Sequence, residues 1–364
     1  MAQITMFDVG DKQHLLYVNQ NTATIIDIGG NVVDKLPHYP MYYDADVLVL
    51  SHFHKDHYDA LIDYAFNRTP RVLHNIKQLF LPIIVSNEHY VQDLFIKMIA
   101  QQMLLQYYKR PQTLVNIPID AFIMLLVGSL THEAQLTIRA LHQGQTFSMA
   151  NQQYDVLWPS IDVIHAYRES IEETLQEFDE VYGRDENMQI AIRTIREHSN
   201  LLWTEGVQRI EINRNLGQGI LADARHRPEG EWYRTVNQHF TTAQTKLNTK
   251  LAHIANHLCL AFRNDDWLFF GDLESNDLGN VMTYLGNQHW LNRYKLIVAA
   301  HHGTHSNPSQ QILRTDFCIA SQGHGLYNTQ REQKARYIYT HMAPPHMVTL
   351  YETTWKVGDI TKTI

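Results

Sequence analysis

A group of metal-binding residue types at the end of a short apolar run constrains this chain more than any other feature. The run at residues 47–50 is followed directly by Ser51-His52-Phe53-His54-Lys55-Asp56-His57. Imidazole and carboxylate groups suit a divalent ion such as zinc. On a tight loop that leaves a buried strand, His52 and His54 can point to one side while Asp56 and His57 point to the other. The heptapeptide therefore predicts two neighbouring metal sites.

Further candidate ligands recur at the ends of later apolar runs. Asp272 follows the run at residues 267–271, and the paired histidines His301 and His302 follow the run at residues 296–300. This recurrence argues against the alternative, in which the heptapeptide is an ordinary polar surface segment of a chain that contains 22 histidines.

The spacing His-x-His-x-Asp-His resembles the signature of the metallo-β-lactamase fold, an αββα sandwich of the α/β class. Residues 7–10 and 25–30 look like its first two strands, and residues 267–272 look like the strand that delivers a bridging aspartate. The motif His301-His302-Gly303-Thr304 is most similar to the soluble hydrolase (nuclease) domain of ComEC-like DNA-uptake proteins. The resemblance covers roughly residues 1–62, 136–160 and 254–364.

The resemblance implies a set of metal ligands for one or two divalent ions, with zinc expected and manganese as the alternative. It assigns His52 and His54 to the first metal, and Asp56, His57 and His301 to the second. Asp272 matches the carboxylate that bridges both metals. His302 stays open as an alternative to His301, since adjacent histidines cannot both face the same metal.

One departure leaves the number of metals open. Many members of the family carry a histidine after the strand equivalent to residues 154–158, where this chain has Pro159-Ser160 and its next histidine is His165. His132 or His142 could substitute, although each is more often an ordinary histidine.

Other residues near the motifs have predicted roles. Asp56 and His302 are predicted to be catalytic, with His302 donating to a leaving oxygen. The hydroxyls of Thr304 and Ser306 suit a phosphate oxygen. Asp27 is expected either to hold a metal-bound imidazole or to cap a turn, and Asp59 either to narrow the mouth of the site or to add an outer carboxylate.

The composition excludes several classes of protein. A net charge of −8 and a pI near 6.2 argue against a broad basic face for nucleic acid, so a nucleic-acid or nucleotide-derived substrate would be held locally at the metals. The two cysteines lie in apolar runs and predict no disulfide. No signal-peptide pattern opens the sequence, and the run at residues 121–127 is far shorter than the roughly 20 residues that cross a bilayer. We expect a cytoplasmic protein without a membrane part.

The rest of the chain predicts one domain over residues 1–364, enlarged by helical insertions at about 60–135 and 160–253. Helical spacing of apolar residues is clear at 88–108. The second insertion has an acidic helical half and then a basic, aromatic half, in which Arg225 and Arg227 could bind substrate phosphates or pair with the acidic helix. It could also form a homodimer or contact a protein partner.

These observations predict a metal-dependent hydrolase, with a phosphodiesterase or nuclease as the leading hypothesis. The fold by itself does not decide the reaction. A lactone or amide hydrolase is the first alternative, and a partner-binding module with weak or triggered activity is the second.

Overall fold

The computed structural model of the chain describes residues 2–52, 54–66, 72–82, 93, 97, 135–186, 188–189, 192–193, 209–213, 241–291, 293–322, 347–349 and 359–364. Two β-sheets lie at the centre of this structure, one of eight strands and one of seven. Both are mixed sheets, in which the parallel strands are grouped together.

The first sheet has the strand order β15-β1-β2-β3-β4-β5-β6-β9. The neighbours from β3 to β6 are parallel, and the others are antiparallel. The bounds are β1 (Gln3–Met6), β2 (His14–Asn19), β3 (Thr22–Ile28), β4 (Val47–Val49), β5 (Gln78–Pro82), β6 (Gln135–Leu141), β9 (Arg209–Asn213) and β15 (Ile360–Thr363).

The second sheet has the order β14-β13-β12-β11-β10-β8-β7, with the neighbours from β11 to β14 parallel. The bounds are β7 (Thr146–Met149), β8 (Gln152–Trp158), β10 (Ala261–Arg263), β11 (Trp267–Phe269), β12 (Arg293–Val298), β13 (Arg314–Ala320) and β14 (Met347–Thr349).

Two tight hairpins are built on residues with positive φ. Gln20 and Asn21 join β2 to β3, and Ala150 and Asn151 join β7 to β8. Positive φ at both central residues is the type I′ geometry, whose twist matches that of the flanking strands. These hairpins hold the antiparallel part of each sheet in register.

Alternation of side chains along the strands produces three apolar layers. Leu15 and Tyr17 face the second sheet and pack with Trp267 and Phe262, whereas Leu16 faces the outer helices. Each sheet is therefore buried on both faces, which explains why its central strands are continuously apolar.

Helices cover the two outer faces. Against the first sheet lie α1 (Lys55–Phe66), α3 (Arg168–Tyr182) and α4 (Thr242–His257), whose buried residues, such as Ile171, Leu175 and Phe178, recur at helical spacing. Against the second sheet lie α2 (Ile161–Ala166) and α5 (Ser275–Asn287). The order helix, sheet, sheet, helix is the αββα sandwich of the α/β class that the sequence predicted.

The parallel strands end at the same edge of the sandwich. The segments that follow β4, β11, β12 and β13 carry residues 51–57, 271–274, 299–305 and 321–322. The carboxyl ends of parallel strands are where α/β proteins place their ligands, and the candidate site lies there.

The structure differs from the sequence prediction in several segments. The first strand is β1, with residues 7–10 after it. The insertion predicted from about residue 60 contains the end of α1 and the strand β5, and the one predicted at 160–253 contains the strand β9 as well as helices. A short buried strand and a short apolar helix segment give similar apolar patterns. Arg225, Arg227 and most of residues 88–108 lie outside the described residues.

No helix among the described ranges combines the length and apolar character needed to span a bilayer.

Candidate metal centre

The heptapeptide forms the loop between β4 and α1 together with the first turn of that helix. The N–H of His57 donates to the carbonyl of His54 (3.0 Å), and the N–H of Gln13 donates to the carbonyl of Asp56 (3.1 Å). Gly29 lies against the same carbonyl, and a Cβ at Gly29 would be 1.6 Å from the Asp56 oxygen. Glycine is therefore required at this close approach. The contacts of Gln13 and Gly29 with the Asp56 carbonyl hold the loop in place.

Four residues form a group that we call the second ligand set: Asp56, His57, Asp272 and His302. The Nε2 of His302 is 3.1 Å from Asp56 Oδ2 and 3.4 Å from Asp272 Oδ2. The Nε2 of His57 is 3.3 Å from the same Asp272 oxygen. Ligands about 2.0–2.1 Å from a tetrahedral zinc ion are separated by about 3.3 Å. The set matches that spacing.

Three residues form the first ligand set: His52, His54 and Asp272. The Nε2 of His52 is 3.8 Å from Asp272 Oδ2, and the ring centroids of His52 and His57 are 4.1 Å apart. The two sets therefore adjoin each other and share Asp272.

Each histidine of the two sets has one ring nitrogen engaged by a neighbour. The Nδ1 of His57 donates to Asp27 Oδ2 (2.8 Å), and that of His302 to Ser321 Oγ (2.7 Å). Asp27 also accepts from the Ser51 hydroxyl, whose oxygen lies 3.1 Å from His52 Nδ1.

His54 is held the other way round, because its Nε2 donates to a carbonyl of α4, that of Ala252, at 2.8 Å. Metal-binding histidines usually donate their second N–H to such a partner. The pattern leaves Nδ1 of His54 and Nε2 of His52 and His57 free for a metal. Nε2 of His302 faces the Asp56 carboxylate at 3.1 Å, within the second ligand set.

Three polar atoms at the centre of the site support this interpretation. His52 Nε2, His57 Nε2 and Asp272 Oδ1 are buried and make no hydrogen bond. An unsatisfied buried polar group costs about 1–3 kcal/mol, and divalent cations in the two ligand sets would give these atoms partners. Imidazole and carboxylate donors also suit such an ion, so the residues fit a metal centre.

The protonation of the histidines differs between the sets. Burial acts to lower the pKa of His57, but Asp272 and Asp27 outweigh it and raise that pKa well above its usual value. For His302, burial again acts to lower the pKa, but Asp272 and Asp56 outweigh it and raise the pKa to about 10. In the first set, burial dominates and lowers the pKa of both His52 and His54.

The structure changes the expected place of the paired histidines. The prediction put His301 beside Asp56 and His57, but the structure puts His302 there. The reason is the turn after β12, where both histidines have positive φ, 47° for His301 and 54° for His302. Two successive left-handed residues reverse the chain, so the strand direction does not determine which ring enters the set.

His301 instead lies at the side of the centre. Its Nε2 is 4.0 Å from Asp272 Oδ2, and its Nδ1 is 4.0 Å from Glu274 Oε1. Together with Glu274 and His305 it forms a third group of candidate ligands.

Three other residues predicted at the site, Asp59, Thr304 and Ser306, belong to none of the three groups of candidate ligands. Asp59 accepts from the backbone of Gly30 (2.6 Å) and pairs with Lys12, so it braces the end of β3. Thr304 donates its hydroxyl to the carbonyl of His301 (2.6 Å) and is therefore not a free donor, whereas Ser306 is partly exposed.

The alternative histidines lie elsewhere. His142 belongs to none of the three groups, and its Nδ1 contacts the carbonyl of Gln143 (2.9 Å). His165 is exposed on α2, and His132 lies outside the described residues. Asp27 contacts the imidazole of His57 (2.8 Å) and also accepts from the backbone N–H of Ser51 (2.7 Å), and its role at a metal stays a prediction.

Sequence reasoning missed several residues at the site. Glu274 follows Asp272 by two positions and His305 follows His302 by three, and this closeness to predicted ligands is a signal that could have been used. Cys259 lies below the centre, where its sulfur accepts from the N–H of Asp272 (3.0 Å) and is 3.6 Å from His52 Nδ1. Ser321 gives no sequence signal, because it is placed by β13.

Proteins similar to this chain are found among solved structures. No protein-family model matches the chain, and no curated protein matches it. Among solved structures, it is similar to the metallo-β-lactamase fold protein YhfI from Bacillus subtilis, at 10% sequence identity and a TM-score of 0.39, over 96% of this chain and 95% of that chain. The narrower similarity to ComEC-like hydrolases, predicted from residues 301–304, finds no support in these comparisons.

The site itself carries the functional conclusion. Histidines and carboxylates converge where parallel strands of both sheets end, and the candidate ligand atoms of each group lie within 4.8 Å of one another. This cluster suggests divalent-metal binding and, with it, a metal-dependent hydrolase.

Proposed function

We propose that the protein is a phosphodiesterase or nuclease that uses two zinc ions, one in each ligand set. The observation that carries the proposal is the shared carboxylate: Asp272 belongs to both sets and is nearly inaccessible to solvent. Two adjacent cation sites with a common ligand suit a phosphodiester, because they can hold the attacking and the leaving oxygen at once.

The bound ions would act as Lewis acids and supply a nucleophile from water at neutral pH. The protein holds the ligands rigid for this purpose. Asp272 is fixed by the contact of its N–H with the buried Cys259 sulfur, and Asp27 fixes His57. Such outer contacts keep ligand atoms in position without movement during the reaction.

Asp56 has the position expected of a group that also meets substrate or water. Its side chain is 36% exposed, whereas those of His57, Asp272 and His302 are at most 3% exposed. Burial acts to raise the pKa of Asp56, but His57 and His302 lower it, so the carboxylate stays ionised. It can therefore accept a hydrogen bond from an attacking water. His302 is too enclosed for the donor role predicted from sequence, and we assign it to the metal.

The charge of the chain limits how substrate is held. With a net charge of −8, long nucleic acid gains little from a general electrostatic attraction. A phosphodiester would be recognised at the metals themselves, so small phosphodiesters and single-stranded ends are the substrates that this centre favours.

The test is hydrolysis by the metal-loaded protein. We expect it to cleave bis-para-nitrophenyl phosphate and single-stranded DNA with zinc or manganese, and not a simple lactone. Asp272→Asn should remove this activity, whereas His165→Ala, a change at an exposed histidine of α2, should leave it intact. Lactone cleavage without phosphodiester cleavage would overturn the substrate assignment, and equal activity in Asp272→Asn would overturn the enzyme assignment.

A further inference from the structure

A third group of metal-binding residue types lies beside the two ligand sets and shares no residue with them. It consists of Glu274, His301 and His305, whose candidate ligand atoms all lie within 4.8 Å of one another. The Nε2 of His305 is 3.1 Å from Glu274 Oε2, and the two imidazole rings are stacked with centroids 4.1 Å apart.

One atom of this group has no partner of its own. The Nδ1 of His301 is buried and makes no hydrogen bond, although it faces Glu274 Oε1 at 4.0 Å. That separation is too long for a hydrogen bond. An ion between the two atoms would give Nδ1 the partner that it lacks.

The other two residues are oriented from outside, as in the two ligand sets. Asn256 donates to Glu274 Oε1 (3.0 Å). The hydroxyl of Thr304 donates to the carbonyl of His301, so its oxygen can accept from Nδ1 of His305, 3.0 Å away. This contact engages Nδ1 of His305, so Nε2, which faces Glu274 Oε2, is the atom placed to bind an ion. Metal-binding histidines typically have one nitrogen engaged in this way.

The group is also accessible. The side chains of Glu274, His301 and His305 are 17%, 23% and 27% exposed. Two imidazoles and one carboxylate are borderline ligands that favour zinc and similar transition metals over magnesium or calcium, and three protein ligands leave a coordination position open to water or to an anionic group.

We propose that Glu274, His301 and His305 bind a third divalent cation of the zinc class at the side of the metal centre. The proposal does not rest on the proposed function, because the ion can be counted whether or not the protein hydrolyses anything. It also gives each histidine of the pair a role, since His302 belongs to the shared centre and His301 to the neighbouring site.

The experiment is a count of bound zinc by equilibrium dialysis and elemental analysis of the full-length protein. We expect His305→Ala to bind one ion fewer than the wild type, with a melting temperature equal to that of the wild type at equal metal loading of the other sites. Glu274→Gln preserves shape and should also lose one ion, so the conclusion does not depend on a single variant. His165→Ala is the matched control and should bind as many ions as the wild type.

A second measurement separates this site from the shared centre. In His54→Ala, which damages the first ligand set, a cobalt-loaded crystal should still show an anomalous peak within bonding distance of His305 Nε2. The proposal is overturned if a cobalt-loaded wild-type crystal shows no anomalous peak within bonding distance of His305 Nε2, or if His305→Ala and Glu274→Gln both bind as many ions as the wild type.

Discussion

The two ligand sets share Asp272 but differ in completeness and in charge. The second set has four residues, two of them carboxylates, and the carboxylates keep its histidines protonated when no metal is bound. The first set has three residues, and burial keeps its two histidines neutral. Four protein ligands hold an ion more firmly than three, and three leave more room for water or substrate. The comparison therefore predicts that an ion in the second set is held more firmly than an ion in the first.

The largest effect is expected where the two sets meet. Asp272→Asn removes a charge from both, and its loss leaves the histidines of the second set without their main counter-charge. We expect hydrolysis to fall by about 10³-fold or more, the upper range for loss of one preorganised electrostatic group, together with loss of bound metal. The exposed Asp162→Asn on α2 serves as control. If Asp272→Asn emptied one set and left the other filled, the two sets would be independent.

The next effect distinguishes the paired histidines. His302→Ala should remove the ion of the second set and lower turnover by about 10²-fold, while His301→Ala should leave that ion bound. The absorption spectrum of the cobalt-substituted protein measures the occupancy directly. Loss of the tightly bound ion from His301→Ala, but not from His302→Ala, would restore the assignment made from sequence.

The dependence on pH sharpens the contrast in charge. Below pH about 10 the metal-free His302 carries a proton, and His57 carries one as well. A metal that binds to these histidines must displace those protons. His52 and His54 have no such proton to lose near neutral pH. Affinity for the second set should therefore rise with pH, by up to about tenfold per displaced proton per pH unit, while affinity for the first set should stay nearly constant. Calorimetry in buffers of different ionisation enthalpy counts the protons released. Equal release from both sets would contradict the comparison.

The smallest effect concerns an outer contact of the second set alone. Ser321→Ala removes the hydroxyl that accepts from His302 Nδ1, but the carbonyl of Ser321, 3.1 Å away, can still accept. We expect the affinity of the second set to fall by less than about tenfold, below the usual range for such contacts, and the first set to be unaffected. Metal titration of the wild type and Ser321→Ala in parallel tests this expectation, with Ser309→Ala as the control at an exposed serine.

The sequence predicted those parts of the site that depend on local order. The heptapeptide and Asp272 follow apolar runs, and residue type together with position at a strand end was enough to propose them as ligands. The αββα class was predicted from the resemblance of the motifs to the metallo-β-lactamase fold, and it is confirmed by the two sheets and their outer helices. The ligand roles stay predictions, although the structure brings the side chains together.

The remaining features depend on geometry that residue patterns do not carry. Which of His301 and His302 enters the centre depends on two left-handed residues, and a sequence expected to continue a strand gives no sign of them. The contact of His54 with Ala252 joins residues 198 positions apart. The strand β5 was taken for part of a helical insertion because a buried run of five residues suits either structure.

The sharing of Asp272 between segments from both sheets has a consequence for the order of events during synthesis. The heptapeptide leaves the ribosome more than 200 residues before Asp272 and His302, so at that stage it offers only its own histidines and one carboxylate to an ion. The complete centre appears when the second sheet packs against the first, and non-local pairing of this kind is slow. Both ligand sets are thus completed late in folding, and we expect a metal to bind only after the two sheets have packed together.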